Sequence, residues 1–463
     1  MKTETMFSRR DLAKIIVPLV IQQVLAVTIG MADSMMVSSA GETAVSGVSL
    51  VTSLDLLLVF CFSALAGGGA IVISQFVGQN NIDTAKNAAK QLVYVTVGVA
   101  AVLTAIVVTV RHPMLNLLFG DVEEAVMSSA QDYFLYIALS FPFLALHDAG
   151  AAIFRANGNS MISMITSVLM NCINLAGNAI LIFGFGMGAK GAAIATLVSR
   201  AVGGIIVLVL AHRKSEKVHL ERILSYRPDG VLIKRILKVG VPSGLENGMF
   251  QFGKLLTQSL ISSMGTAAIA ANAVAHTLAT FQYMPGNAVG LATVTVVGRC
   301  IGAGEKKQAT KYARLILGLT YLFLWFIIIL TFIFANPVIN IYNLSAEAAS
   351  QANTLIVYHA IVAAVIWPIA FTLPGSLRAA SDVRFPLIVS AFSMWAFRVS
   401  LSYVLAQETV NFFGLFTFPG AGLGVLGVWV AMTADWLFRA ILFAYRHLSG
   451  KWLTKYKALE KRA

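Results

Sequence analysis

The sequence predicts an all-α, polytopic membrane protein with twelve transmembrane helices in two six-helix lobes related by a parallel internal repeat. Three observations predict it. The 463 residues are 58% hydrophobic and 12% charged, with a mean hydropathy of +0.79, whereas a soluble globule carries roughly twice that charge. Apolar runs of about 20 residues, long enough to cross a hydrocarbon core, recur from end to end. The chain also repeats itself with an offset of 224 residues (242 − 18), the distance from Pro18 to Pro242.

The runs fall near 14–37, 48–77, 91–111, 127–149, 161–183, 190–212, 239–262, 268–297, 313–335, 350–374, 386–406 and 424–446. Before the first lies a polar, basic stretch, Met1–Arg10, without a small-residue cleavage pattern, so it does not read as a cleaved signal. The second run contains Gly67-Gly68-Gly69, the fourth Pro142, the eighth Pro285, Gly286 and Gly290, and the tenth Pro368 and Pro374. Each proline removes a backbone hydrogen bond and favours a kink. The glycines serve either close helix approach or bending, and spacing alone does not separate the two. Midway lies the longest polar stretch, with the turn Arg227-Pro228-Asp229-Gly230. It divides the chain into an N-lobe at 1–212, a basic linker at 213–238 and a C-lobe at 239–463 that ends in a short basic tail.

The repeat is specific. Gly41 falls on Gly265, Ala44 on Ala268, Gly78 on Gly302, Ala85 on Ala309 and Lys90 on Arg314; after a one-residue slip, Arg155-Ala156 falls on Arg378-Ala379. Six crossings per half is an even number, so both halves enter the membrane from the same side and are related by an axis along its normal. A ligand cavity is expected on that axis, and transporters are the commonest machines built this way. The net charge of +13 is distributed accordingly. Lys2, Arg9, Arg10, Lys14, Lys86, Lys90, Arg155, the cluster Arg213–Lys238, the stretch Arg299–Arg314, Arg378, Arg384 and the tail Arg439–Arg462 all fall on one side; the other holds Arg111 and Lys190. That asymmetry places both termini in the cytoplasm and argues against a nucleic-acid partner.

Several function classes lose support. Cys61, Cys172 and Cys300 are far apart with no CxxC and no metal-ligand spacing, which argues against disulfide and zinc roles. No HExxH, paired-Asp metal motif or Ser/His/Asp set lies in the runs, which argues against an integral membrane enzyme, and no GxxxxGK(S/T) loop supports an ATP-driven pump.

Particular stretches carry a resemblance. They are Ala32-Asp33-Ser34, Ser74-Gln75-Phe76-Val77-Gly78-Gln79, Arg155-Ala156-Asn157-Gly158-Asn159 and Asn178-Ala179-Ile180-Leu181 in the first half. In the second half they are Gly240-Val241-Pro242-Ser243-Gly244, Met284-Pro285-Gly286, Val297-Gly298-Arg299, Arg378-Ala379-Ala380-Ser381-Asp382 and Trp395-Ala396-Phe397-Arg398. From about Arg10 to Trp452 the chain resembles the multidrug and toxic compound extrusion (MATE) transporters. The resemblance implies a monomer in the lipid bilayer of the plasma (inner) membrane. It implies export of small organic, often cationic, molecules against inward H+ or Na+ flow, with no cofactor beyond that ion. The alternative within the superfamily is a flippase for lipid-linked precursors, supported here by Lys254 and Arg200 alone.

An ion-driven exporter needs a group in the membrane that changes charge or coordination, and ionisable residues in spans are expensive enough to be functional by default. Asp33 is the leading candidate, deep in the first run among Met31, Ala32, Met35 and Met36. The resemblance adds Tyr133, Asn174, Asn178 and Thr196 to a cation-coupling site around it. Asn178 stands where many relatives have a second aspartate; it cannot titrate, which leaves Asp33 as the single carboxylate and favours protons over sodium. Asn174 and Asn178, four apart on one helix face, also suit interhelical hydrogen bonding. Substrate-cavity candidates are Glu246 and Lys254 in the seventh run, and Asn272, His276, Gln282 and Tyr283 in the eighth. Eight positions turn a helix by about 80° beyond two full turns, so Glu246 and Lys254 are not expected to pair. Arg398 and Asp435 are expected to pair, and Asp55 and Asp148 to lie near span ends in contact with water.

Overall fold

The computed structural model describes residues 5–456, except 121, 222, 224, 226, 343 and 413–415. Of the basic residues read above, Lys2, Arg222, Lys457, Lys461 and Arg462 lie outside the described residues. Among the described residues, twelve long helices follow in order: α1 (Arg9–Ser38), α2 (Glu42–Gly78), α3 (Ile82–Phe119), α4 (Glu124–Ala156), α5 (Ser160–Gly184), α6 (Gly188–Ala211), α7 (Gly230–Ser262), α8 (Thr266–Gly302), α9 (Lys306–Ile341), α10 (Ala346–Ala379), α11 (Arg384–Ala406) and α12 (Gly424–Leu448). Ten of them are long and apolar enough to cross a membrane by composition alone. The two outside that set, α7 and α8, carry Glu246, Gln251, Lys254, Gln258, Asn272, His276, Gln282 and Asn287. A polar pair of long helices is tolerated in a membrane where it lines an aqueous or ligand-bearing space.

Helix ends follow local chemistry. Ser8 and Asp11 form a reciprocal capping box on α1, with Ser8 N donating to Asp11 Oδ2 at 2.9 Å and Asp11 N to Ser8 Oγ at 3.2 Å. Asn81, Asn159 and Ser345 cap α3, α5 and α10 through their side chains. Gly41 and Gly265, equivalent in the repeat, precede α2 and α8 with φ of +100° and +95°, a region that side chains with a Cβ rarely enter. Asp229 starts α7 by accepting from Val231 N at 3.0 Å and Leu232 N at 3.2 Å. The helix therefore takes in Lys234, Arg235 and Lys238, which hydropathy alone assigns to the linker. The tenth run breaks at Thr372, before Pro374, as its prolines require. In each half the fifth helix contains π-helical turns, at Ala179–Gly184 and Met394–Val399. A short antiparallel hairpin, β1 (Thr409–Phe412) and β2 (Phe416–Pro419), separates α11 from α12.

The chain divides into two compact units, Met1–Gly244 with Gly298–Gly304, and Leu245–Val297 with Glu305–Ala463. In the first, α4 is the central helix, packed on α2, α3 and α6 around Val51, Phe62, Phe134, Ile137 and Phe141. The stretch between α6 and α7 is tied to this unit. Asn157 Nδ2 donates to Val218 O at 2.7 Å, and Val218 N donates back to Asn157 Oδ1 at 3.0 Å. Lys86 pairs with Glu221 at 2.8 Å, and Gln91 donates to Arg227 O at 2.9 Å. Lys86 first, and His219 second, hold the Glu221 carboxyl below its usual range. The second unit packs α9, α10 and α12 around Leu324, Trp367 and Trp436, with a neighbouring cluster at Leu260, Leu278 and Trp429.

Candidate functional site

In the first unit, α1, α5 and α6 bring Asp33, Asn174, Asn178 and Thr196 together. Asn174 and Asn178 lie one turn apart, so both amides face α1. Asn178 is fully buried and donates through Nδ2 to Asp33 Oδ1. With its amide oriented to satisfy both ends, Asn174 donates to Asp33 Oδ1 at 3.2 Å and presents its oxygen 3.0 Å from Thr196 Oγ1. Asn178 Oδ1 is buried without a hydrogen-bond partner among the described residues. Asp33 is half-buried and has no cationic partner among them. Tyr133 of α4 lies within electrostatic reach of Asp33, Asp55 and Arg200.

Asp55 differs from expectation. Helix α2 begins at Glu42 rather than near 48, so Asp55 sits well inside it and pairs with Arg200 at 3.0 Å; Arg200 Nη1 also donates to Ser140 Oγ at 2.9 Å. Polarity at Glu42 and Thr43 hid the first turn of this helix from hydropathy.

In the second unit, Glu246 accepts from Arg378 Nη1 at 3.1 Å and Ser390 Oγ at 2.8 Å. Asn272 is buried, donating to Gln258 Oε1 at 3.1 Å and accepting from Trp429 Nε1 at 2.9 Å. Gln282 is fully buried, its Oε1 2.6 Å from His359 Nδ1. Tyr283 stacks on Trp367 at 5.6 Å and shares a 3.1 Å hydrogen bond with Thr280. Lys254 is half-buried, and His276 is exposed. Asp435 pairs with Arg398 at 3.0 Å, as the sequence predicts, and also with Arg439 at 2.7 Å, a partner that the sequence reading missed although it lies four residues along α12. Because two buried guanidinium groups share this carboxylate, Asp435→Asn is expected to cost about 3–5 kcal/mol. A thermal-unfolding series in detergent checks this, and an unchanged midpoint would contradict it.

At the other end of the first unit, α2 meets the end of α8. A Cβ on Gly78 would overlap the carbonyl of Arg299, and one on Gly302 would overlap the carbonyl of Gln75. Gln75 and Arg299 are themselves equivalent in the repeat, so the contact is reciprocal. Arg299 Nη2 is anchored on the Ala156 carbonyl at the end of α4 at 2.6 Å, and Arg235 Nη2 donates to Gln75 Oε1 at 3.1 Å.

The family model described as MatE matches the chain twice, over residues 18–180 and 242–404. The two matches carry the same 224-residue offset as the repeat. The chain belongs to the MATE family. It is 30% identical over 459 residues to the probable multidrug resistance protein NorM of Thermotoga maritima, covering 97% of this chain and 94% of that one. It is 27% identical over 457 residues to the uncharacterized transporter YisQ of Bacillus subtilis, covering 95% and 94%. Its fold matches a solved multidrug resistance MATE family transporter of the MOP superfamily with a TM-score of 0.84, 19% identity and 96% of each chain covered. As a MATE protein it is a multi-pass membrane transporter, and the two matched halves are the duplicated MATE unit.

Proposed function

We propose that this protein is a secondary antiporter that exports small organic molecules, driven by inward proton flow coupled at Asp33. The observation that carries the reading is a carboxylate in a membrane helix held by two amide donors and, among the described residues, no cation. Ionised, Asp33 accepts from Asn178 and Asn174. Protonated, it becomes a donor that faces two amide N–H groups and must find an oxygen. Asn178 Oδ1, buried without a partner, supplies one when the amide turns over. Protonation thereby rearranges the contacts between α1 and α5, which is the link from proton to helix movement. A sodium ion wants several oxygens and gains from a second negative charge, which Asn178 does not supply.

The basic loops support a plasma-membrane orientation with both termini cytoplasmic, and the protein is read as a monomer that needs no cofactor. The reciprocal contact of Gly78 and Gly302 then lies on the cytoplasmic side and must part during each cycle of alternating access. Asn178→Asp adds the second carboxylate. It is expected to confer sodium binding and slow proton-driven turnover. Sodium-dependent changes in intrinsic tryptophan fluorescence, with efflux rates in proteoliposomes, check this; a variant that ignores sodium and exports at the wild-type rate would contradict it.

A further inference from the structure

The core of the second unit holds charged side chains that coupling at Asp33 does not use. Three cationic side chains surround one ring there. Arg398 Cζ lies 4.8 Å, Arg439 Cζ 5.4 Å and Lys254 Nζ 5.9 Å from the centroid of Phe250. Among the described residues, Asp435 is the one carboxylate paired with this group, and its two oxygens are taken by Arg398 and Arg439. Lys254 has no ion-pair partner among the described residues. Arg398 is 3% exposed, yet its Nη2 is buried without a hydrogen-bond partner.

Resting on the reading of this chain as an exporter, we propose that Lys254 and Arg398 form an anion subsite that seats the carboxylate or phosphate end of an amphipathic substrate. An excess of positive charge in a membrane core calls for a counter-ion. Among the described residues, both N–H groups of Arg398 Nη2 and all three of Lys254 are left for it. Paired donors of this kind favour an oxyanion through charge-assisted hydrogen bonds. The subsite opens on one side, because Lys254 is half-buried and His276 exposed. An apolar body has a surface close by. Phe250 packs edge-on to Phe371 at 6.0 Å, and Phe371 continues the stack through Trp367 to Tyr283. This polarity is opposite to the cation preference that the family resemblance implies. It also gives a use to Lys254, which pairing within the fold does not.

The test is equilibrium binding in nanodiscs of phosphatidylcholine, without any gradient, using two dansyl probes with the same alkyl chain, one ending in a carboxylate and the other in an ammonium. The wild-type protein is expected to bind the carboxylate about tenfold more tightly than the ammonium, the order of one charge-assisted contact. Lys254→Met should remove that preference and Lys254→Arg should retain it. Equal binding of the two probes by the wild-type protein, or carboxylate binding unchanged in Lys254→Met, overturns the proposal. Discs containing phosphatidylglycerol separate the sources. Loss of carboxylate binding there, dependent on Lys254, identifies a lipid headgroup as the occupant; undiminished binding identifies a free organic anion. Asp33→Asn should bind the carboxylate normally. Wild-type efflux by Asp33→Asn with the anion preference intact therefore sinks the coupling reading alone, and absence of the anion preference in a wild-type protein whose efflux depends on Asp33 sinks this one alone.

Discussion

Asp33→Asn is expected to reduce gradient-driven efflux to background while the protein still inserts and folds. Asparagine keeps the size of the side chain and one oxygen that can accept from Asn178 and Asn174, so the contacts of α1 with α5 survive. What is lost is the only titrating group in that cluster. In cells lacking their own pumps, the variant should accumulate drug to the level of cells without the protein, at equal membrane expression. Wild-type efflux by Asp33→Asn would remove the residue from the mechanism.

Gly302→Val and Gly78→Val are expected to abolish export by a different route. Any side chain at either position occupies the space of a backbone carbonyl on the facing helix, and backbone cannot move aside as a flexible side chain can. The contact between α2 and the end of α8 then cannot close, and the cycle stops with that end open. Cys300 reports on it directly, because it is fully buried beside the contact. With Cys61 and Cys172 replaced by alanine, maleimide should label Cys300 slowly in the wild-type background and much faster in the valine variants. Full export with Cys300 still protected would show that the tight approach is not required.

The repeat was legible because backbone geometry imposes it. Gly41 and Gly265 need the same left-handed conformation, and Gly78 and Gly302 the same close approach, so glycine recurs at a fixed offset. The convergence of Asn174, Asn178 and Thr196 on Asp33 came from the family resemblance, since partners 145 residues apart leave no local pattern. The same separation concealed Asp55 and Arg200, which only the fold brings together. Helix α7 began earlier than hydropathy allowed, because a helix can leave the membrane and continue through Lys238, Arg235 and Lys234 with every backbone group still bonded. The π-helical turns beside Asn178 and within the stretch that holds Arg398 had no sequence signal; they follow from packing rather than propensity. The Arg439–Asp435 pair was readable from its four-residue spacing on a helix.

On the proposed mechanism one carboxylate, Asp33, couples export to protons. Its most direct test is transport of a fluorescent drug in proteoliposomes of purified protein, with the proton and sodium gradients imposed separately. Transport is expected to be driven by ΔpH at zero sodium, to ignore a sodium gradient at fixed pH, and to lose its ΔpH response in Asp33→Asn. Transport driven by sodium at fixed pH, with no response to ΔpH, would contradict it.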